Sequence, residues 1–320
     1  MSVHAHRPIV MQGRRLRVVV LPQRGGKILS IKDDSEHEIL WQDTDRPWRD
    51  RRYGESYDRH NASGWDECFP TIAPCPHPSQ PWQGADVPDH GELWFLPWEW
   101  EWIGEILHMW AYGIRFPYRF DRWLRIGPDN ALTADYRVEN LAPYRQPVLW
   151  SAHLLCACEP DDDVLLPADT AVLVDYSSGN RLPTGLVYAP WPYVTASDGR
   201  VVDLSRMPCP DAGVSEKLFT NRLTGGWAAL YRPGVGRYVA LSWDASDVPY
   251  VGVWLNAGGW PATVPAYHIG LEPSTGYPDR LDRAVSEGGC IDLEPREERR
   301  WSVTLYTGMA ASKDLIPGGG

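Results

Sequence analysis

Between Leu93 and Val138 the chain passes through short apolar and aromatic runs with almost nothing between them, and few folds accept that arrangement. Trp94-Phe95-Leu96, Trp98 to Trp102, Ile106 to Phe116, Tyr118 to Ile126 and Ala131 to Val138 follow one another. The connections Gly104-Glu105, Pro117 and Gly127-Pro128-Asp129-Asn130 have the length and residues of hairpin turns. Within the runs, Trp98, Trp100 and Trp102 alternate with glutamates, and Leu132, Ala134, Tyr136 and Val138 alternate with polar residues. A period of two sends successive side chains to opposite faces, so this segment predicts an antiparallel meander with one packed and one wetter face.

The same pattern extends in both directions. Leu16 to Leu21, Lys27 to Ile31 and Glu38 to Gln42 predict strands, with turns at Gly25-Gly26 and Asp33 to Glu36. Val148 to Cys158 is apolar on both faces and predicts a buried strand. Further strands are expected at Gly226 to Tyr231, Tyr238 to Trp243, Val251 to Leu255, Tyr267 to Leu271 and Trp301 to Tyr306. Only Pro278 to Ser286 has helical character. Thr44 to His60 is charged and aperiodic and predicts a long surface loop, a feature compact domains usually keep for function. Asn180 to Asp211, rich in Pro and Gly, reads as an excursion, and Pro317 to Gly320 as a frayed tail. The expectation is a single all-β domain over residues 1–320 with a core of about 15–307, a sandwich or a barrel by period alone.

Bulk properties exclude several function classes. The net charge of −11 argues against nucleic acid, which calls for a basic surface. The one basic cluster, Arg49 to Arg52, is interrupted by Asp50. No apolar run is long enough to span a membrane as a helix, and Met1 to Gln12 lacks the apolar stretch of a secretory leader. The six cysteines have no framework spacing, so free thiols in a reducing cytoplasm are expected. Cys156 and Cys158 are too close for a zinc knuckle, and Asp161 to Asp163 lacks the continuation of a calcium loop. Cys75, His77 and His90 lack ligand spacing, and no phosphate-binding or dinucleotide fingerprint occurs, so no cofactor is expected.

The stretch from Gly64 to Trp102 points toward carbohydrate. Asp66 and Glu67 open it, the turn Asp89-His90-Gly91-Glu92 follows, and Trp94 begins its aromatic end. Sugar C–H faces pack on aromatic rings while hydroxyls need polar partners. Three polar residues also stand beside or within apolar strands: His90, His153 and Glu272. A buried acid is costly unless paired or catalytic, and a Glu with a His suits proton transfer near neutral pH.

Asp89-His90-Gly91-Glu92, His153 on its strand, and Gly270-Leu271-Glu272-Pro273 followed by Ser274-Thr275-Gly276 resemble the aldose 1-epimerase (galactose mutarotase-like) family. Gly25 to Ser30 with Ile39 to Gln42 is similar to its opening strands. The resemblance implies a β-supersandwich with a sugar cleft across one sheet. It implies Glu272 as the base that takes the anomeric hydroxyl proton, His153 as the acid at the ring oxygen, and His90 as a hydrogen-bonding partner of the sugar. Arg52 (or Arg51) and Asn61 are candidates for further sugar contacts, Asp66, Glu67 or Lys217 for an aspartate the family uses, and Trp94 and Trp254 for stacking. The expected partner is a small-molecule sugar, with no metal and with a homodimer as a possible assembly. A non-catalytic sugar-binding protein, a lyase or a glycoside-processing enzyme are the alternatives on the same scaffold.

Overall fold

The computed structural model describes residues 7–185 and 187–316. Two large antiparallel sheets dominate it. One has ten strands, in the spatial order Ile9–Gln12, Leu16–Leu21, Lys27–Asp33, Trp65–Cys68, Ser151–Cys156, Tyr267–Ser274, Tyr250–Ala257, Val214–Thr220, Ala171–Ser177 and Ala189–Pro190. The other has eight, in the order Asp163–Leu165, Gly226–Arg232, Arg237–Trp243, Glu298–Met309, Leu132–Asn140, Tyr118–Ile126, Ile106–Tyr112 and Glu99–Ile103.

Alternation along the strands builds the core between the sheets. Leu154, Leu271, Val253 and Leu218 from the first sheet share one buried cluster with Leu124, Leu132, Val303 and Leu241 from the second. Truncating any one of these leucines to Ala removes a fully buried side chain, a loss of about 2–5 kcal/mol. Their neighbours His153, Glu272, Trp254 and Lys217 are one residue out of phase and therefore face away from the core. Tyr57, from the loop between the third and fourth strands, packs over that outer face against His153 and His90. The site is thus built on a sheet whose other side is anchored by the main core.

The meander follows the sequence pattern closely, and the departures have local causes. Glu38 to Gln42 makes only isolated bridges, Lys32 with Glu38 and Leu40 with Cys156. The Glu38 carboxylate accepts from the Ile31 and Leu40 amides at 3.0 and 3.1 Å, doing with a side chain what a ladder would do. Leu93–Phe95 is a 3₁₀ turn rather than a strand, fixed by the Trp94 indole N–H donating to the Asp89 carbonyl at 2.7 Å. Val148 to Cys158 breaks at Leu149 and Trp150 into Gln146–Val148 and Ser151–Cys156. The loop expected at 44–60 is not wholly on the surface: Tyr57 is buried, and Arg46 is buried against Asp43 at 2.7 Å. The helical segment is an α-helix at Leu281–Glu287, closed by Gly288 at φ 69°. All six cysteines are free. Pro317 to Gly320 lie outside the described residues.

Candidate active site

Four adjacent strands of the ten-stranded sheet carry the polar side chains that share one cavity of about 350 Å³. Ser151 pairs with Ser274 and Leu154 with Leu271, so His153 and Glu272 fall at the same level of neighbouring strands. Glu272 pairs in turn with Gly252 on the third strand, and Gly252 with Phe219 on the fourth. Lys217, two residues from Phe219, reaches back over Gly252 and donates from Nζ to Glu272 Oε2. A methyl group at Gly252 would stand 3.3 Å from the Lys217 Cε and 3.4 Å from the Glu272 Cβ. One at Gly270 would stand 2.8 Å from Glu272 Oε1. The two glycines leave the slot that the carboxylate and the ammonium occupy.

Lys217 has a second carboxylate, Asp279 Oδ1 at 3.3 Å, contributed by the turn before the helix. Burial lowers the lysine pKa, but Asp279 and Glu272 outweigh it, and the ammonium is held above its ordinary value. Asp279 is pushed up to about 7, first by burial and then by Asp175 and Glu272, against the pull of Lys217. One ammonium serves a crowd of carboxylates, so it stays charged, and Asp279 takes up a proton more readily than an ordinary carboxyl.

On the other side of His153 lies a matching pair. Asp66 pairs in register with His153, and Lys27 Nζ sits 2.5 Å from Asp66 Oδ2, both side chains fully buried. The Tyr57 hydroxyl donates to the same Oδ2 at 2.7 Å. Tyr57 stacks on His90 with ring centroids 4.0 Å apart, and His90 meets His153 edge-on at 4.8 Å. His90 Nδ1 lies 2.8 Å from Asp89 Oδ1, while Asp89 Oδ2 accepts the Tyr57 amide at 2.8 Å. A proton on Nδ1 satisfies that carboxylate and leaves Nε2 for the cavity. His90 adopts φ 58°, a left-handed conformation uncommon outside glycine, and its backbone N–H donates to the Ile72 carbonyl at 2.7 Å.

His153 is therefore a buried imidazole between two lysines. Burial first, then His90, Lys217, Lys27 and His268, push its pKa well below the ordinary value. Among the described residues its Nδ1 is buried without a hydrogen-bond partner, and so is Glu272 Oε1. Buried polar atoms rarely stay unpaired, and these two belong to residues of neighbouring strands that line one cavity. The apolar end of the cavity is formed by Trp254, Trp260 and Leu155, with Trp260 edge-on to Trp254 at 6.0 Å.

Of the residues singled out in the sequence, the cavity brings together His90, His153, Lys217, Trp254 and Glu272. The others lie elsewhere. Asp66 is behind Tyr57, bound to Lys27. Glu67, one residue on, points into the core and accepts from Arg122, Trp150 and Tyr136 at 2.7, 2.8 and 3.0 Å. Trp94 packs behind the site, edge-on to Tyr57 at 5.0 Å. Asn61 braces its own loop through the Asp43 and Arg46 carbonyls. Arg52 is exposed on the surface, and Arg51 donates to the Trp94 carbonyl. Trp100 and Trp102 are half exposed on the edge strand of the other sheet, so the aromatic run beside Trp94 does not line the cavity. Cys75 and His77 stay apart from His90: Cys75 packs against Thr71, and His77 stacks on Phe116.

Sequence reasoning missed Tyr57, Trp260, His268, Asp175 and Asp279 as cavity residues. Asp279 had a signal, since it follows the Glu272 motif closely in the chain. Tyr57, in an aperiodic charged segment, had none.

No family model matches the chain, and no curated protein sequence matches it. Solved structures do match it in fold. The Slr1438 protein from Synechocystis sp. PCC 6803 is 16% identical, with a TM-score of 0.70 over 97% of this chain and 99% of that one. A galactose mutarotase-like protein from Lactobacillus casei is 16% identical, with a TM-score of 0.60 over 94% of this chain and 100% of that one. The aldose epimerase homologue from C. elegans is 11% identical, with a TM-score of 0.64 over 95% of this chain and 99% of that one. The chain has the galactose mutarotase-like fold, an all-β sandwich of large antiparallel sheets. At these identities the likeness is one of architecture.

Proposed function

We propose that this protein interconverts the anomers of an aldose by acid–base opening and reclosure of the sugar ring. The observation that carries the reading is the buried Glu272 Oε1, without a partner among the described residues, in a side chain that lines one cavity with His153 and His90. A carboxylate fixed through one oxygen by Lys217, with the other oxygen free, is arranged as a base for a ligand hydroxyl. Trp254 offers an apolar face to the C–H side of a ring, and His90 Nε2 and His153 offer hydrogen bonds to its hydroxyls. A binding protein has no need of an unpaired carboxylate at this depth, since desolvating it opposes affinity unless chemistry uses it. The fold neighbours named for mutarotase and epimerase activity support the same reading.

Saturation-transfer NMR of anomer exchange tests it on glucose, galactose, mannose, rhamnose, a hexose 6-phosphate and a uronate. Faster exchange of at least one sugar with wild type, lost in Glu272→Gln, is the expected result. Ligand-induced shifts with no acceleration of any sugar would turn the assignment to a carbohydrate-binding protein.

A further inference from the structure

The site holds one more carboxyl group than the base requires, and its placement is specific. Asp279 approaches the same ammonium that fixes Glu272. Its Oδ1 is buried and, although 3.3 Å from Lys217 Nζ, lacks hydrogen-bond alignment. Its side chain remains 19% exposed, and the residue lines the cavity. The backbone on either side is pinned: the Asp279 carbonyl accepts the Ile72 and Ala73 amides at 3.0 and 2.9 Å, and its amide donates to Asp175 Oδ2 at 3.3 Å. His153, by contrast, sits among cations and is poorly placed to store a proton.

We propose, on the basis of the anomeric reaction above, that Asp279 is the proton donor to the ring oxygen, paired with Glu272 through the Lys217 ammonium. In the opening step Glu272 Oε1 takes the proton of the anomeric hydroxyl. The O–H electron pair becomes the second bond of the C1 carbonyl, the C1–O5 bond breaks with its pair going to O5, and O5 takes the carboxyl proton of Asp279. The products are the open-chain aldehyde, a protonated Glu272 and an ionised Asp279. Rotation about C1–C2 and the reverse step return both groups to their starting states. The two carboxyls carry one negative charge between them before and after, and Lys217, touching both, balances it in either place. No charge has to be created or lost in the buried site while the proton moves through the substrate.

The charged groups facing Asp279 come from every element around it: Lys217, Glu272 and Asp175 on the sheet strands, and Arg280 and Arg283 at the start of the helix. Arg280 is bound to Asp282, and Arg283 to Asp175 and Glu287, so neither competes with Lys217 for the Asp279 carboxyl. The buried Cys68 thiol lies behind the pair.

The test is a pH–rate profile of anomer exchange for the sugar that wild type accelerates, with Asp279→Asn, Asp279→Glu and His153→Asn alongside. The wild-type rate should fall on the alkaline side of neutrality as the donor loses its proton. Asp279→Asn should lose about 100-fold in rate together with that alkaline limb. Asp279→Glu should recover part of the rate with the limb displaced, and it decides the matter if the Asn variant does not fold. His153→Asn should keep the limb at any residual rate. An Asp279→Asn profile with the wild-type limb, or a limb abolished by His153→Asn instead, overturns the assignment and leaves the anomeric reaction standing. Failure of wild type to accelerate any sugar removes the reaction itself.

Discussion

Lys217 Nζ donates to Glu272 Oε2 across the backbone of Gly252, the residue between them in the sheet register. The gap is set by a missing side chain, and it has no slack: a methyl group at Gly252 would meet its nearest neighbours at 3.3–3.4 Å. Gly252→Val should part the lysine from the glutamate, abolish exchange activity and cost about 1–3 kcal/mol from overpacking. Urea unfolding and the exchange assay check both halves. A fully active Val variant would show that the bridge is dispensable.

Glu272→Gln keeps the shape of the site and removes the base. Exchange should drop by about two to four orders of magnitude while sugar-induced NMR shifts persist. Loss of binding in parallel with rate would instead make Glu272 a ligand contact.

The Lys27–Asp66 pair is fully buried beneath Tyr57. Lys27→Met leaves the Asp66 carboxylate with the tyrosine hydroxyl alone and should destabilise the fold by about 3–5 kcal/mol. Adding Asp66→Leu should return much of that loss. Denaturant titration of the single and double variants measures the coupling, and additive losses would contradict it.

His153 should stay neutral across the working range. Burial and the surrounding cations lower its pKa, so its imidazole ¹⁵N shifts should remain those of a neutral ring from about pH 8 down to about 5.5. A titration centred near the ordinary histidine value of about 6.5 would place the ring in water rather than between the two lysines.

Asp279 carries a stability signature of its own. Its folded pKa of about 7 lies above the ordinary 3.8, so the folded state binds this proton more tightly than the unfolded chain does. That contribution is full below pH 3.8 and is lost as pH rises through 7. Asp279→Asn cannot ionise, so its Tm should gain on wild type steadily between about pH 5 and about pH 8. A difference independent of pH would show that the carboxyl is ionised throughout.

The meander was legible because its strands alternate cleanly and are joined by hairpin-type turns; Leu132–Asn140 is the plainest case. Two strands that carry the site were not. Val214–Thr220, for which no strand was expected, contains Glu216 and Lys217 in mid-run, and both are buried in ion pairs with Arg181 and Glu272. Ala171–Ser177, with Asp175 and Tyr176 near its end, was hidden in the same way. Charge signals exposure only when no distant partner waits for it, and these partners lie far away in the chain. His90, His153 and Glu272 were visible because each is a polar residue among apolar or aromatic ones. Asp66 and Glu67 stood out as a pair, but neighbours on a strand face opposite ways, and neither could be assigned a face before the strand's pairing was known.

The position of His153 and Glu272 on adjacent strands at one level has a mechanical consequence. They lie between the register pairs Ser151–Ser274 and Leu154–Leu271 of two strands, and neighbouring strands run about 4.7–4.9 Å apart. The loop at 44–64, which carries Tyr57 over the site, lies outside that register, so a shift in the loop leaves the interval unchanged. The two groups are mounted on a ruler whose graduations are backbone hydrogen bonds, and only melting the sheet would change its scale.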